Sequence, residues 1–363
     1  MFVVLSAFLP RIRRDMTDFE VDWRTGARWA AAEPLYRVED GHYQYKYLPV
    51  FGAVMAPLSK LPLGTAKTIW FFVVIASIAA SLTLSLLLIP NPRHSTTFLA
   101  LATIVAMAKF FAREADLGQF NAVVLLAVLG GLAFLEQDQP VLAALAFAVA
   151  VVTKPYAVVF LPYLVVKGRL KAAVVFATAL LIALLVPVTV YGWTGNADLL
   201  RDWIRTVSES TAPNLLNQDN VSVASMYARW VGTGVVASWL AVTTLAALGL
   251  LFAVVLRTGR ALAHNEYLEV GLLLTLIPLA SPQGWDYVLL LSTPAVMLVI
   301  DRLALMAVSI RATAITALAI IAFSIFDVMG RHAYAQFMSL SAISVCALTL
   351  VASLAYLRFR RLA

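Results

Sequence analysis

Long uninterrupted apolar runs set the first constraint on this chain. Residues 69–89, "IWFFVVIASIAASLTLSLLLI", carry no charge over 21 positions. As an α-helix such a run rises about 31 Å, enough to cross about 30 Å of hydrocarbon. Comparable runs bounded by polar or Pro/Gly punctuation fall at 66–89, 95–112, 118–135, 140–153, 155–166, 170–191, 231–256, 266–280, 285–300, 304–326 and 333–357. Of the 363 residues, 62% are hydrophobic and 13% charged, whereas soluble domains are about half apolar and about a quarter charged. Lipid offers the backbone no hydrogen bonds, so only helices or closed barrels cross it. The alternating ten-residue strands of a barrel are missing. The fold class expected is therefore an all-α polytopic membrane protein of about eleven to thirteen transmembrane helices with short extracytoplasmic helices. No internal repeat or soluble domain is visible, so residues 1–363 read as one membrane unit. The 47–61 run, "YLPVFGAVMAPLSKL", is broken by Pro49 and Pro57; it is either a short span or a re-entrant half-helix.

The 27 basic residues outnumber 20 acidic ones, for a net charge of +7. They lie in short loops beside apolar segments, which argues against nucleic acid and gives orientation instead. "KGRLK" (167–171), "RTGR" (257–260), 301–311 and "RFRR" (358–361) are assigned to the cytoplasm. The 11–46 loop, "READLGQFN", the 192–230 loop and "SPQGWD" (281–286) then fall on the extracytoplasmic side of a multi-pass plasma-membrane protein, provided 47–61 does not cross. The single cysteine, Cys346, excludes an internal disulfide framework. "MFVVLSAFL" precedes "RIRR", the reverse of a signal peptide. Nine helical residues rise only about 13 Å, so a first transmembrane helix that begins upstream is expected.

Polar clusters collect on the extracytoplasmic face. Asp15, Asp18 and Asp22 crowd the stretch after the first apolar residues; on a helix Asp18 and Asp22 share a face one turn apart. Taken singly, each reads first as a solvated loop charge. Lys46 lies among tyrosines in "YQYKYLP" (43–49), which reads as an interfacial belt with a snorkelling lysine. Gln119 and Asn121 open a span as amides that either hydrogen-bond a sugar or join helices. Lys154, directly before Pro155 and between two apolar runs, stands at a break of the kind that lines membrane-protein sites; it either snorkels or faces a cavity holding an anion. Asn217, Gln218 and Arg229 precede the next span, and Trp285 and Asp286 open a later one.

In order along the chain stand "DFEVDWRTGARWAAAEPLYR", "YKYLPVFGAVMAPLSKLP", "LGQFN", "TKP", "NQDNVSVASMYAR" and "SPQGWDY". This series resembles the integral-membrane glycosyltransferases of family 87, GT-C-type enzymes that use polyprenyl-phosphate mannose. The match covers about residues 15–290. There are departures: Leu48-Pro49 replaces a double proline, Gly284 stands where a serine is common before the tryptophan, and Asp286-Tyr287 stand where a histidine is common after it.

The resemblance implies a GT-C-like bundle and an inverting transfer, in which an acceptor hydroxyl displaces the lipid phosphate from the anomeric carbon of a β-linked donor. An alcohol needs a base as it attacks, and a carboxylate within about 3 Å supplies one. Inversion needs that base on the face opposite the leaving group. A phosphate leaves without a general acid but needs cations. The resemblance gives Asp18 the role of base, with Asp22 second and Asp15 third. It makes Lys154, Arg229 and Lys46 the candidates for holding the donor phosphate. Gln119, Asn121, Asn217, Gln218, Trp285, Asp286 and Tyr47 become candidates for sugar or acceptor contact. The implied partners are a polyprenyl-phosphate sugar donor, most simply mannose, a glycolipid or polysaccharide acceptor, and membrane lipid; no cofactor is required, and a divalent metal stays open. Two other classes fit the same features: a transporter or lipid flippase, for which broken helices and membrane charge serve equally well, and a non-catalytic membrane scaffold.

Overall fold

The computed structural model describes residues 15–259 and 266–362. The "MFVVLSAFL" and "RIRR" stretches lie outside the described residues, as does the end of "RTGR". The described residues form helices joined by turns and short loops, with one isolated bridge between Asn220 and Trp285 and no strand among them. They divide into two compact units. One holds the described residues up to Ser81 with Arg113–Ser210; the other holds Leu82–Ala112 with the described residues from Thr211 onward.

The helices met first are α1 (Thr17–Ala30), α2 (Pro49–Ser59), α3 (Leu63–Leu88), α4 (Thr96–Leu117), α5 (Asn121–Glu136), α6 (Pro140–Thr153), α7 (Phe160–Val166), α8 (Leu170–Leu185) and α9 (Val188–Glu209). Helix α1 sits in the expected 11–46 loop and is amphipathic. Phe19, Asp22, Thr25, Gly26 and Trp29 are buried, and their spacing of three or four keeps them on one face. Proline at the first position of α2 has no amide to lose there. Its 11 residues rise only about 16 Å, too short to cross alone. At the end of α4 the chain turns through Gly118, φ +69°. Glycine is the residue that adopts this conformation without strain. A Cβ there would stand 2.7 Å from Phe19 Cβ, while Trp70 Nε1 donates to the Gly118 carbonyl at 2.9 Å. Helix α6 stops at Lys154, which is extended (φ −144°, ψ 112°). Proline's ring clashes with a helical preceding residue, so the Lys-Pro pair ends α6 and a short 3-10 turn (Pro155–Val159) leads into α7.

In the second unit lie α10 (Thr211–Asn214), α11 (Val223–Val231), α12 (Val235–Gly259), α13 (Glu266–Ala280), a 3-10 segment (Asp286–Ser292), α14 (Thr293–Arg302), α15 (Val308–Phe323), α16 (Phe326–Met329), α17 (Arg331–Ser339) and α18 (Ala342–Phe359).

Among the described residues, five helical segments are long and apolar enough to cross a membrane: α3, α4, α12, Asp286–Leu305 and α18. A sixth arises if α8 counts together with the helix after it, to which it is bent by 91°. Five more apolar helices have only 10–17 residues. The chain is thus an all-helical multi-pass membrane protein in which several expected spans are short or broken. Three boundaries need correction. The 170–191 run breaks at Val186-Pro187, because proline removes an amide the helix needs. The 192–230 "loop" is largely helical, carrying α9, α10 and α11. The 333–357 run is two helices separated at Ser341, whose φ is 57°.

Candidate functional site

In the first unit, five elements bring one polar cluster together. Asp18 lies in the first turn of α1, Tyr47 just before α2, Gln119 in the Gly118–Phe120 turn, Asn121 at the first position of α5, and Lys154 at the α6 break. Gln119 Nε2 donates to Asp18 Oδ2 at 2.5 Å, and Lys154 Nζ donates to Gln119 Oε1 at 2.7 Å. The chemistry fixes which way the amide faces: an ammonium has only donors, so the carbonyl turns to Lys154 and the NH2 to the carboxylate. Lys154 is buried and its Nζ sits 4.8 Å from the centre of the Tyr47 ring, a cation–π distance. Tyr47 OH donates to Gln119 Oε1 at 3.4 Å. The ammonium is therefore held inside the unit and does not snorkel out.

One turn on from half-buried Asp18, Asp22 is 2% exposed, and its Oδ1 has no hydrogen-bond partner among the described residues. Burial holds its carboxyl well above the usual carboxylate range; the Lys154 ammonium opposes this and Asp18 adds to it. Burial also pulls the half-buried Lys46 ammonium down, with Asp18 opposing. Asp15 is half-buried at the start of the described chain. Other charges around α1 are paired: Lys67 with Glu20 at 3.3 Å, and Arg28 with Asp40 through two bonds of 2.5 and 2.8 Å. That second pair ties the end of α1 to the turn leading to Tyr47, whose carbonyl accepts from Tyr36 OH at 2.6 Å.

Beneath this chain lies a second one. Asn121 is fully buried. Its Nδ2 donates to Glu114 Oε2 at 2.8 Å, and its Oδ1 accepts from Tyr156 OH at 2.6 Å. Of the two expectations for the amides, joining helices and binding sugar, the observed bonds of Gln119 and Asn121 are of the joining kind. Glu114 and Tyr156 were missed from the sequence. The signal was there for Glu114, an acid near the end of an apolar span where ionisable groups are costly.

The second unit holds the other expected residues. Arg229, half-buried, donates to the Asn217 and Gln218 carbonyls at 2.6 and 3.1 Å and to Ser341 Oγ at 3.1 Å. Its guanidinium thus staples the 217–218 turn to the start of α18, whereas a phosphate contact was expected of it. Gln218 is exposed, and Asn217 Oδ1 accepts from the Asp219 amide at 3.0 Å. Trp285 is half-buried and stacks at 8° on Tyr287, with ring centres 6.4 Å apart. Gly284 explains one departure from the motif: a Cβ there would stand 1.9 Å from the Pro278 carbonyl oxygen, so no side chain fits. Asp286 is fully buried, paired with Lys109 at 3.2 Å, and accepts from Tyr334 OH at 3.4 Å. That internal pair is a different use from the sugar contact expected of Asp286. Among the described residues no group of three or more His, Cys, Asp or Glu side chains is placed to hold a metal ion.

Comparison with known proteins bears on residues 45–282, which match the model of glycosyltransferase family 87. No curated protein and no solved structure matches the chain. The matched region is well over half of the 363 residues, and it disfavours the transporter or flippase reading. The chain belongs to glycosyltransferase family 87 and is a membrane glycosyltransferase.

Proposed function

We propose that this glycosyltransferase is of the GT-C type and moves a sugar, most simply mannose, from a polyprenyl-phosphate donor to a hydroxyl of a glycolipid or polysaccharide. The site faces the extracytoplasmic side of the plasma membrane, with Asp18 as general base. The observation that carries this reading is the Asp18–Gln119–Lys154 chain, which holds a half-buried carboxylate and a buried ammonium two hydrogen bonds apart. A base and a phosphate-holding cation are what an inverting transfer from a lipid phosphate requires.

In the reaction, the acceptor oxygen forms its bond to the anomeric carbon while the bond to the phosphate oxygen breaks. The bonding pair leaves with the lipid phosphate, and the hydroxyl proton passes to Asp18. Inversion turns a β-linked donor into an α-linked product. Lys154, with Lys46 behind it, stabilises the phosphate as it gains charge, and the Tyr47 face steadies the ammonium. Within the second unit, Arg229 acts by holding the turn that carries Asn217 and Gln218. The whole chain is proposed to work as one glycosyltransferase domain.

The test is donor consumption by purified protein in lipid membranes, using polyprenyl-phosphate mannose, the corresponding arabinose lipid, and the lipid phosphate without sugar. The expected result is release of lipid phosphate from the mannose donor with an α-linked product. Failure to consume any lipid-phosphate sugar, with transfer from a nucleotide sugar instead, would overturn the reading.

A further inference from the structure

Glu114 has no part in the chemistry above, yet it is a fully buried carboxylate near the end of an apolar helix. Its hydrogen bonds beyond α4's own ladder converge on the turn that carries Gln119. Its backbone carbonyl accepts from the Gln119 amide at 3.0 Å. Its Oε1 accepts from the Ala122 amide and its Oε2 from Asn121 Nδ2, both at 2.8 Å. The Ala122 amide is among the first of α5, a group with no partner inside its own helix, so the carboxylate caps α5 from the end of α4. Asn121, held at one end by Glu114, receives the Tyr156 hydroxyl at the other, and Tyr156 is two residues beyond Lys154.

Two parallel chains therefore tie the same two segments, the 118–121 turn and the 154–156 break. One is Asp18–Gln119–Lys154 and the other is Glu114–Asn121–Tyr156. We propose that Glu114 is a positioning residue: through Asn121, Tyr156 and the first turn of α5 it fixes where Gln119 and Lys154 stand, and so where the Asp18 carboxylate points. The inference rests on the assignment of Asp18 as base. A carboxylate suits the task because both oxygens accept, and here they meet a backbone donor and a side-chain donor at once.

The variants Glu114→Gln, Glu114→Ala and Tyr156→Phe test it in the full-length protein in membranes, with polyprenyl-phosphate mannose as donor. Gln keeps an acceptor for the Ala122 amide. Its NH2 can meet Asn121 once that amide turns over, because the Tyr156 hydroxyl donates or accepts equally well. Misplacement of a reacting group by about 1 Å costs about a hundredfold in rate. Glu114→Ala should therefore lower kcat about a hundredfold with the donor KM within about threefold, while Glu114→Gln stays within about tenfold of wild type. Tyr156→Phe should lower kcat about tenfold at unchanged KM, and it carries the test if the Ala variant does not fold. Hydrogen exchange at the amides of residues 119–122 should quicken in the Ala variant and not in the Gln variant. The proposal falls if the Ala variant keeps wild-type kcat and exchange, or if the Gln variant is as inactive as the Ala variant, since Glu114 would then act by its charge. It falls equally if the loss lies entirely in KM, or if Tyr156→Phe is indistinguishable from wild type. A wild-type protein that consumes no lipid-phosphate sugar defeats the proposed function alone, and the exchange comparison still decides whether Glu114 holds the 118–121 turn.

Discussion

Lys154 Nζ donates to Gln119 Oε1 at 2.7 Å across 35 positions of sequence. The bond converts a lysine at a helix break from a surface group into one end of a chain leading to Asp18. It also predicts how the position responds to substitution. Lys154→Gln removes the charge-assisted bond proposed to the donor phosphate, a kind worth about 1.5–3 kcal/mol, so affinity for polyprenyl-phosphate mannose should fall by about 2 kcal/mol. Affinity for the sugar-free lipid phosphate should fall by a similar factor. Lys154→Arg should rescue only in part, because a planar fork does not fit where a compact ammonium sits between Gln119 and the Tyr47 ring. Binding isotherms for the two lipids measure this; unchanged affinity for both would remove Lys154 from the site.

Asp18→Asn keeps the side chain's size while removing the proton acceptor. Turnover should fall by about two to four orders of magnitude, with expression and donor binding little changed. Steady-state rates for Asp18→Asn and Asp22→Asn side by side decide the matter: a normal Asp18 variant with a dead Asp22 variant moves the base one helical turn along α1.

Asp22 makes a separate prediction for stability. Burial raises its native pKa above the ordinary carboxyl value, so the folded protein favours the protonated form. That contribution is fully present below the ordinary value and is lost as pH rises through the raised one. Asn does not ionise, so Asp22→Asn should match wild type in acid and unfold at a higher temperature than wild type once pH exceeds the native pKa. Thermal unfolding across a pH series reads this; a variant less stable than wild type at alkaline pH would contradict it.

Gly118→Ala places a Cβ 2.7 Å from Phe19 Cβ at a φ of +69°. A side chain in that region of backbone space costs about 1–3 kcal/mol, so denaturant unfolding should shift by that amount. Because Gln119 is the next residue, kcat should fall as well. A variant with wild-type stability would mean the turn relaxes freely.

Orientation is open to impermeant thiol labelling, with Cys346 replaced first. Exposed Thr194 and Gln218 changed to cysteine should be labelled from outside the cell, and exposed Ser309→Cys should be protected. The reverse pattern would invert the topology and with it the argument for a lipid-linked donor. Thr194 is preferable to neighbouring Asn196, which is buried and donates to the Leu184 carbonyl at 3.1 Å.

The order of residues alone makes this chain a helical membrane protein, since a run such as 69–89, without strand alternation, satisfies its backbone in lipid as a helix. It also determined where the chain must break: proline at 155 ends α6 and glycine at 118 ends α4, both through local backbone sterics that need no neighbours. Those same rules placed Gln119, Asn121 and Lys154 at helix ends, whereas Asp18 stood out through its cluster of acids and the family resemblance. Which of them meet is set by packing. Asp18 and Gln119 are 101 positions apart and joined by a 2.5 Å bond, and side-chain contacts at such separations follow from packing, which no local pattern encodes. Packing likewise turned Arg229 toward the carbonyls of Asn217 and Gln218 and buried Asp286 against Lys109. It also gave Glu114 its place at the start of α5. A buried polar group must find partners, but which partners it finds depends on the elements that surround it.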